Sequence, residues 1–413
     1  MTWNMWSGLI IGLMTLMYGV NVVLGLLNLN YQRKPLAENV KAIYSKDKLA
    51  LSRKYFAENT LYRLVSSTFN YILMIALLVG GFFPWLGQIS AQLTRNELLQ
   101  TFIFFTFLIT LNTIISLPFS YYKTFSIETR YGFNKSTKAL FFKDAVRNIL
   151  VSSVLTSGIA VLLHALYVGL GEGFVLGAWL ALSIILVVVF MLNTKVFVKI
   201  FNKLTPLPDG SLKNAIQSLA LKTGFKAKAI YSMDGSKRST KLNAFFSGFG
   251  PIREIALFDT LIAKLNEKQI LAVLAHEIGH AKHFDEIRLL LQQILVFGVY
   301  AIALNLVLGT ADIVTAFGFT GAFFGFSLIL FSFLVEPFDF LLGLPTNWLS
   351  RKAEYAADAF SVKQGYKKAM LEALKILVVE NFSNLTPHPL EVYLTYSHPP
   401  MHDRLAAIEK LPG

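Results

Sequence analysis

The chain has 413 residues, 54% hydrophobic and 15% charged, with a formal net charge of +13. So much apolar surface with so few charges excludes an ordinary soluble domain and points to a membrane protein. Lys and Arg are spread over many loops with no basic helix or arm, which argues against nucleic acid and suits cytoplasmic loops beside anionic lipid headgroups.

The opening "MTWNMWSGLI" lacks a basic n-region, so a retained span is expected rather than a cleaved signal peptide. Crossing a bilayer takes about 20 apolar residues. Seven segments meet this, near Trp6–Leu27, Leu61–Leu86, Thr101–Tyr121, Ile149–Leu170, Phe174–Phe197, Ile287–Leu308 and Ile313–Leu342. The last carries Glu336 and Asp339, which suggests a polar end lining something other than lipid. Loops rich in Lys and Arg alternate with loops nearly free of them, from the basic stretch Arg33–Arg63 to Arg351 and Lys352 at the start of the tail. By the positive-inside rule the N-terminus lies outside and the C-terminus is cytoplasmic.

The organisation expected is 1–197 with five spans, 198–286 cytosolic, 287–346 with spans six and seven, and 347–413 as a cytosolic helical tail. Within the first cytosolic piece, "TPLPDGS" reads as a loop, Leu212–Gly224 as a helix and Lys228–Met233 as a strand. "LNAFFSGFG" and "REIALFDTLI" read as two short strands separated by Gly-Phe-Gly-Pro punctuation. "NEKQILAVLAHEIGHAKH" then has apolar residues at helical spacing. There is no cysteine, which removes disulfides, thiolate ligands, a cysteine nucleophile and cysteine lipidation.

On that helix His276 and His280 stand four residues apart, on one face, about 6 Å from each other. Two imidazoles so placed can bind one Zn²⁺, with Glu277 beside them to act on a water. The bland alternative is two solvated histidines on a surface helix. A catalytic zinc needs a third protein ligand from the same side of the membrane. The chain crosses twice after His280 and returns there with "SRKAEYAADAF". Glu354 is the expected third ligand, and Asp358 would accept the free N–H of a ligating histidine. The competing reading is a charged helix face paired with Arg351. His164 reads as a satisfied interior residue, and His283, His388 and His402 as surface or loop groups.

These segments resemble the type I CAAX prenyl proteases, integral-membrane zinc metallopeptidases of gluzincin type. "IETRYGFNKST", "GSKRSTKLNAFFSGFGPIREIALFDTLI", "HEIGH", "NWLSRKAEYAADAF" and "YSHPPMHDRLAAI" follow in the family's order. The resemblance implies a mainly α membrane protein: seven transmembrane helices around an intramembrane chamber, with a cytosolic α+β metallopeptidase part at one end. It implies one Zn²⁺ on His276, His280 and Glu354, with Glu277 as general base. It implies further that Asn243 binds substrate backbone beside an edge strand, and that His398 and Arg404 stabilise the tetrahedral intermediate. The expected substrate is a peptide or protein, prenylated and cut near its C-terminus. The membrane would be the inner or plasma membrane in a bacterium and of endoplasmic reticulum type in a eukaryote. A broad quality-control protease without a prenyl requirement, a transporter lined by intramembrane acids and an inactive zinc-binding scaffold are the alternatives. Oligomeric state is not legible.

Overall fold

The computed structural model describes residues 4–247 and 253–412. Six helical stretches among them are long and apolar enough to cross a membrane. One, Lys138–Leu192, is two antiparallel helices: Gly171 (φ +50°) breaks it, and Leu163, Leu166 and Tyr167 pack back on Phe174, Val175 and Ala178. Seven spans result.

The spans follow one another round a closed ring. The first helix (Met5–Tyr31) packs on the second (Lys46–Val79), and the third (Glu97–Tyr122) on the fourth, which starts at Lys138, passes a π-turn at Ser153–Ser157 and ends at Leu170. The fifth (Phe174–Leu192), the sixth (Asp285–Leu308) and the seventh (Phe324–Ser361) continue in order, and the seventh returns to the first. Between the second and third spans, the short helix Phe82–Leu93 fills one end and the π-turn Lys123–Glu128 the other. Each span therefore buries little of itself, 6% of the apolar stretch in the second and 28% in the first. A solid bundle would bury far more. One end of the ring is plugged by Phe83, Phe104, Phe317 and Phe326 packed with Ile10 and Met14.

Three span boundaries differ from the sequence reading. The second helix stops at Val79 because Gly80 and Gly81 (φ +74°) end it, so Phe82–Leu86 belongs to the next helix. The seventh begins at Phe324, since the chain turns at Gly318 (φ +93°) and the stretch from Ile313 is a separate short helix. The fifth gives up regular α geometry after Leu192 and runs on as a π-turn, Asn193–Val198.

At the other end sits a four-stranded sheet, β1 (Leu204–Pro206), β2 (Ala229–Met233), β3 (Ala244–Ser247) and β4 (Glu254–Phe258), in the order β1-β2-β4-β3. β2 and β4 run parallel, the other pairs antiparallel, and among the described residues β3 is an edge. The "TPLPDGS" region thus contributes a strand that its prolines had hidden, because Pro206 sits on an edge where a missing N–H is tolerated. "DTLI" begins a helix, Asp259–Lys264, rather than continuing the strand. The Gly-Phe-Gly-Pro stretch, 248–251, lies outside the described residues.

The sheet packs through Ile255 and Leu257 on the helix Glu267–Lys282, with Leu271, Leu274, Ala275 and Ile278 in the shared core. This helix begins at a capping box: Asn266 Oδ1 accepts from Gln269 N at 3.0 Å, and Gln269 Oε1 accepts from Asn266 N at 3.0 Å. From Gln269 to Ala281 only Glu277 and His280 are not buried. The helix is encased except where those two side chains face an opening.

The seventh helix has 38 residues, about 57 Å at the usual rise, so it crosses the hydrocarbon and projects well beyond it. It passes residue 346 unbroken, which puts the expected start of the C-terminal piece inside a helix. It meets the encased helix at Gly279, where an added Cβ would lie 2.9 Å from Ala357 Cα and 3.1 Å from Phe360 Cβ. Overpacking of this kind costs about 1–3 kcal/mol. Gly279→Val is expected to lower the thermal unfolding midpoint in detergent; an unchanged midpoint would show that the two helices are free to separate.

Candidate active site

The helix crossing at Gly279 brings the charged face of the seventh helix over the two histidines. His276 Nε2 and His280 Nε2 lie 3.2 Å apart. Glu354 Oε1 is 3.4 Å from His280 Nε2, and Glu354 Oε2 is 3.6 Å from His276 Nε2. One ligand atom from each of the three residues falls within 4.8 Å of the others.

Each imidazole has a carboxylate behind it, hydrogen-bonded at His280 and in close contact at His276. Asp358 Oδ1 lies 2.8 Å from His276 Nδ1, and Asp285 Oδ2 lies 2.9 Å from His280 Nδ1. Such contacts fix the ring orientation and leave Nε2 to face the centre. Asp285 was not picked out from the sequence. Five residues beyond His280, it would sit on another face of a continuing helix, but the chain reverses at Phe284 (φ +56°) and turns it back. Its signal was an acidic residue just past a helix end, legible only with that turn known.

Arg404 is buried, its Nε 2.9 Å from Asp358 Oδ2 and its Nη2 2.6 Å from Asp358 Oδ1. Its Nη1 reaches Glu354 Oε2 at 3.2 Å. His398 approaches from the mouth: its side chain is 66% exposed, with Nε2 3.2 Å from Glu354 Oε1. Ser397 Oγ lies 2.9 Å from its Nδ1. Arg351 does not pair with this acidic face; it donates to the carbonyls of Val392 and Tyr396 instead.

Asn243 is exposed immediately before the edge strand β3. Its Oδ1 accepts from Ala244 N at 2.9 Å, and its carbonyl accepts from Phe258 N at 3.2 Å. Of the other histidines, His164 is buried, stacked on Phe324 at 4.2 Å and 2.8 Å from Thr101 Oγ1. His283 ends its helix exposed, and His388 caps one.

Burial holds the Glu277 carboxyl above the ordinary carboxylate range, against the opposing pull of His276 and His280. Burial also works against a charged His280, but hydrogen bonds to Glu354 and Asp285 and the charges of Glu354 and Glu277 outweigh it, placing the imidazole at about 9. The surroundings of His280 thus favour positive charge at this point.

These residues fit a divalent cation on three counts. Donors bound to one tetrahedral ion at about 2.0–2.1 Å lie about 3.3 Å apart, close to the separations observed. Glu354 Oε2 is buried without a hydrogen bond, an arrangement that is costly unless a cation or charge compensates it. Four carboxylates, Asp358, Asp285, Glu354 and Glu277, meet two guanidinium groups here, Arg404 shared between Asp358 and Glu354 and Arg288 on Asp285, an excess of negative charge that a divalent cation would balance.

Two family models match in tandem: the CAAX prenyl protease N-terminal part with five membrane helices over residues 26–203, and peptidase family M48 over 206–412. A CAAX prenyl protease 1 homolog of Arabidopsis thaliana is 34% identical, the match covering 97% of this chain and 96% of that protein. CAAX prenyl protease 1 of Saccharomyces cerevisiae is 29% identical, covering 87% and 85%. The crystal structure of Ste24p from S. mikatae superposes with a TM-score of 0.91 at 26% identity, covering 99% of this chain and 100% of that one. The alternatives of a transporter and of an inactive scaffold give way to these matches: the chain belongs to the M48 peptidases, as a multi-pass membrane metalloprotease of the CAAX prenyl protease type.

Proposed function

We propose that the chain is a zinc endopeptidase working at the cytosolic face of its membrane and removing C-terminal residues from prenylated proteins. The observation that carries the catalytic reading is the seventh helix placing Glu354 against both imidazole Nε2 atoms, beside the partly open Glu277. Two imidazoles and a carboxylate are the donor set of catalytic zinc peptidase sites, and they favour Zn²⁺ over the all-oxygen environments that suit Mg²⁺ or Ca²⁺. The prenylated substrate class rests on what the relatives are called, and a ring of loosely packed spans is a suitable shelter for a lipid chain. The cytosolic placement rests on the alternation of basic and bare loops. Membrane lipids are then the surrounding partners, and nucleic acid is not one.

In this reading His276, His280 and Glu354 hold zinc, and Asp358 and Asp285 orient the two imidazoles. Bound zinc supplies Lewis acidity, polarising the scissile carbonyl and making a water more acidic. Glu277 takes the proton from the attacking water and passes it to the departing amine. An extended substrate adds to the free edge of β3 beside Asn243, which fixes the register of its carbonyls. His398, at the mouth with Glu354 and Ser397 as its polar contacts among the described residues, swings to donate to the developing oxyanion. Arg404 keeps an Nη N–H for the same charge while anchoring Asp358 and Glu354.

Glu277→Gln is expected to retain its metal by elemental analysis and lose turnover by about 10²–10⁴-fold; normal turnover would contradict the role of base. Asp285→Ala is expected to weaken metal affinity about 10–100-fold in a chelator competition, and an unchanged affinity would show that the carboxylate does not support His280. On matched peptides, the farnesylated form is expected to give the higher kcat/KM. Equal values would favour the quality-control protease without a prenyl requirement.

A further inference from the structure

The segment "IETRYGFNKST", between the third and fourth spans, has no part in the chemistry above. It nonetheless contacts the chain just ahead of β3 at several points. Lys135 N donates to Arg238 O at 3.0 Å, Thr240 N donates to Phe133 O at 3.1 Å, and Asn134 bridges Ser239. One residue further on, Lys241 Nζ donates to Tyr55 Oη at 2.6 Å and lies 3.1 Å from Glu128 Oε2. Tyr55 Oη in turn donates to Glu128 Oε1 at 2.7 Å, which closes a three-membered cycle. The ammonium also sits over the Phe133 ring at 4.7 Å. Tyr55 comes from the helix that becomes the second span, and Glu128 from the π-turn ending the third.

The backbone beside Lys241 is gripped from the protease side. Thr260 Oγ1 donates to Lys241 O at 2.9 Å. Asn381 Oδ1 accepts from Leu242 N at 2.9 Å, while Asn381 Nδ2 donates to Leu242 O at 3.2 Å. Asn243 and the edge strand follow at once. The side chain of Lys241 is thus tied to the membrane ring and its main chain to the peptidase part, immediately before the strand that would receive substrate.

We propose that Lys241, held by Glu128 and Tyr55, is a positioning residue that sets where β3 presents its free edge relative to the metal centre. The proposal rests on the reading of β3 as the substrate strand. A peptide paired with that edge takes its register from it, so a loosened edge strand lets the scissile carbonyl wander. A contact that only supported the fold would change the amount of active enzyme and not the position of the cut.

The test is steady-state kinetics with mass-spectrometric mapping of the cut site, on full-length enzyme in detergent, using one farnesylated peptide. Lys241→Met is expected to raise KM about tenfold with kcat altered by less than about twofold, normal metal content and additional cuts one residue away. Lys241→Arg, which keeps the charge and the ring contact, is expected to recover a single cut. A fall in kcat at unchanged KM with a single cut site, or no change at all, overturns the proposal. Should Lys241→Met fail to fold, Glu128→Gln removes the ion pair alone; it is expected to raise KM and loosen the cut in the same direction, and wild-type KM and cutting in it overturn the proposal. Asn243→Ala, run in parallel, separates the two readings. An effect there with none at Lys241 overturns this proposal alone, and no effect at either overturns the substrate-strand reading as well.

Discussion

A carboxylate from a membrane-crossing helix reaches two imidazoles on an encased helix because Gly279 lets the two backbones come into contact. With the Ala357 Cα 2.9 Å from where a side chain would begin, the crossing has no slack, and Glu354, one turn back along the seventh helix, is delivered to the histidine pair. The remaining features of the site follow from that contact. Asp358, one turn on, falls behind His276, and Arg404 binds Asp358 in a two-point grip that ties the C-terminal helix Met401–Lys410 to the same place.

The electrostatics follow from the burial. Acidic side chains concentrated in a low-dielectric crevice repel one another unless cations compensate. Here four carboxylates share two guanidinium groups, with Arg404 reaching both Asp358 and Glu354. The same imbalance favours a positive charge on His280 and burial raises Glu277. The site is therefore shaped for positive charge at its centre, with a carboxyl beside it that burial makes more basic than usual. The ring of spans serves a different end. Helices that touch mainly their neighbours give up much of the packing available to a solid bundle, and the aromatic plug at the far end and the peptidase part at the near end close what the helices leave open.

Much of this was legible in the sequence because it is written in periodicity and spacing. Seven apolar segments and a histidine pair at i, i+4 need no tertiary knowledge, and crossing parity alone returned Glu354 to the side of His276. What was missed depended on single backbone events. Gly81 and Gly318 end or interrupt apolar runs whose composition continues past them, so the second and seventh spans were drawn too far. Phe284, a bulky residue in the left-handed region, turns Asp285 back onto His280, and no propensity argument would place it there. Pro206 concealed an edge strand. The pairing of Lys241 with Glu128 lies 113 residues apart in the chain, a distance over which local rules carry no information.

The central claim is one zinc ion held by two imidazoles from one helix and a carboxylate from another, and X-ray absorption at the zinc edge on the purified protein tests it most directly. The account predicts one zinc per chain, two imidazole scatterers and oxygen neighbours at about 2.0–2.1 Å, with the carboxylate contribution lost in Glu354→Ala. Absence of zinc, a shell without two imidazoles, or a spectrum unchanged in Glu354→Ala would contradict it.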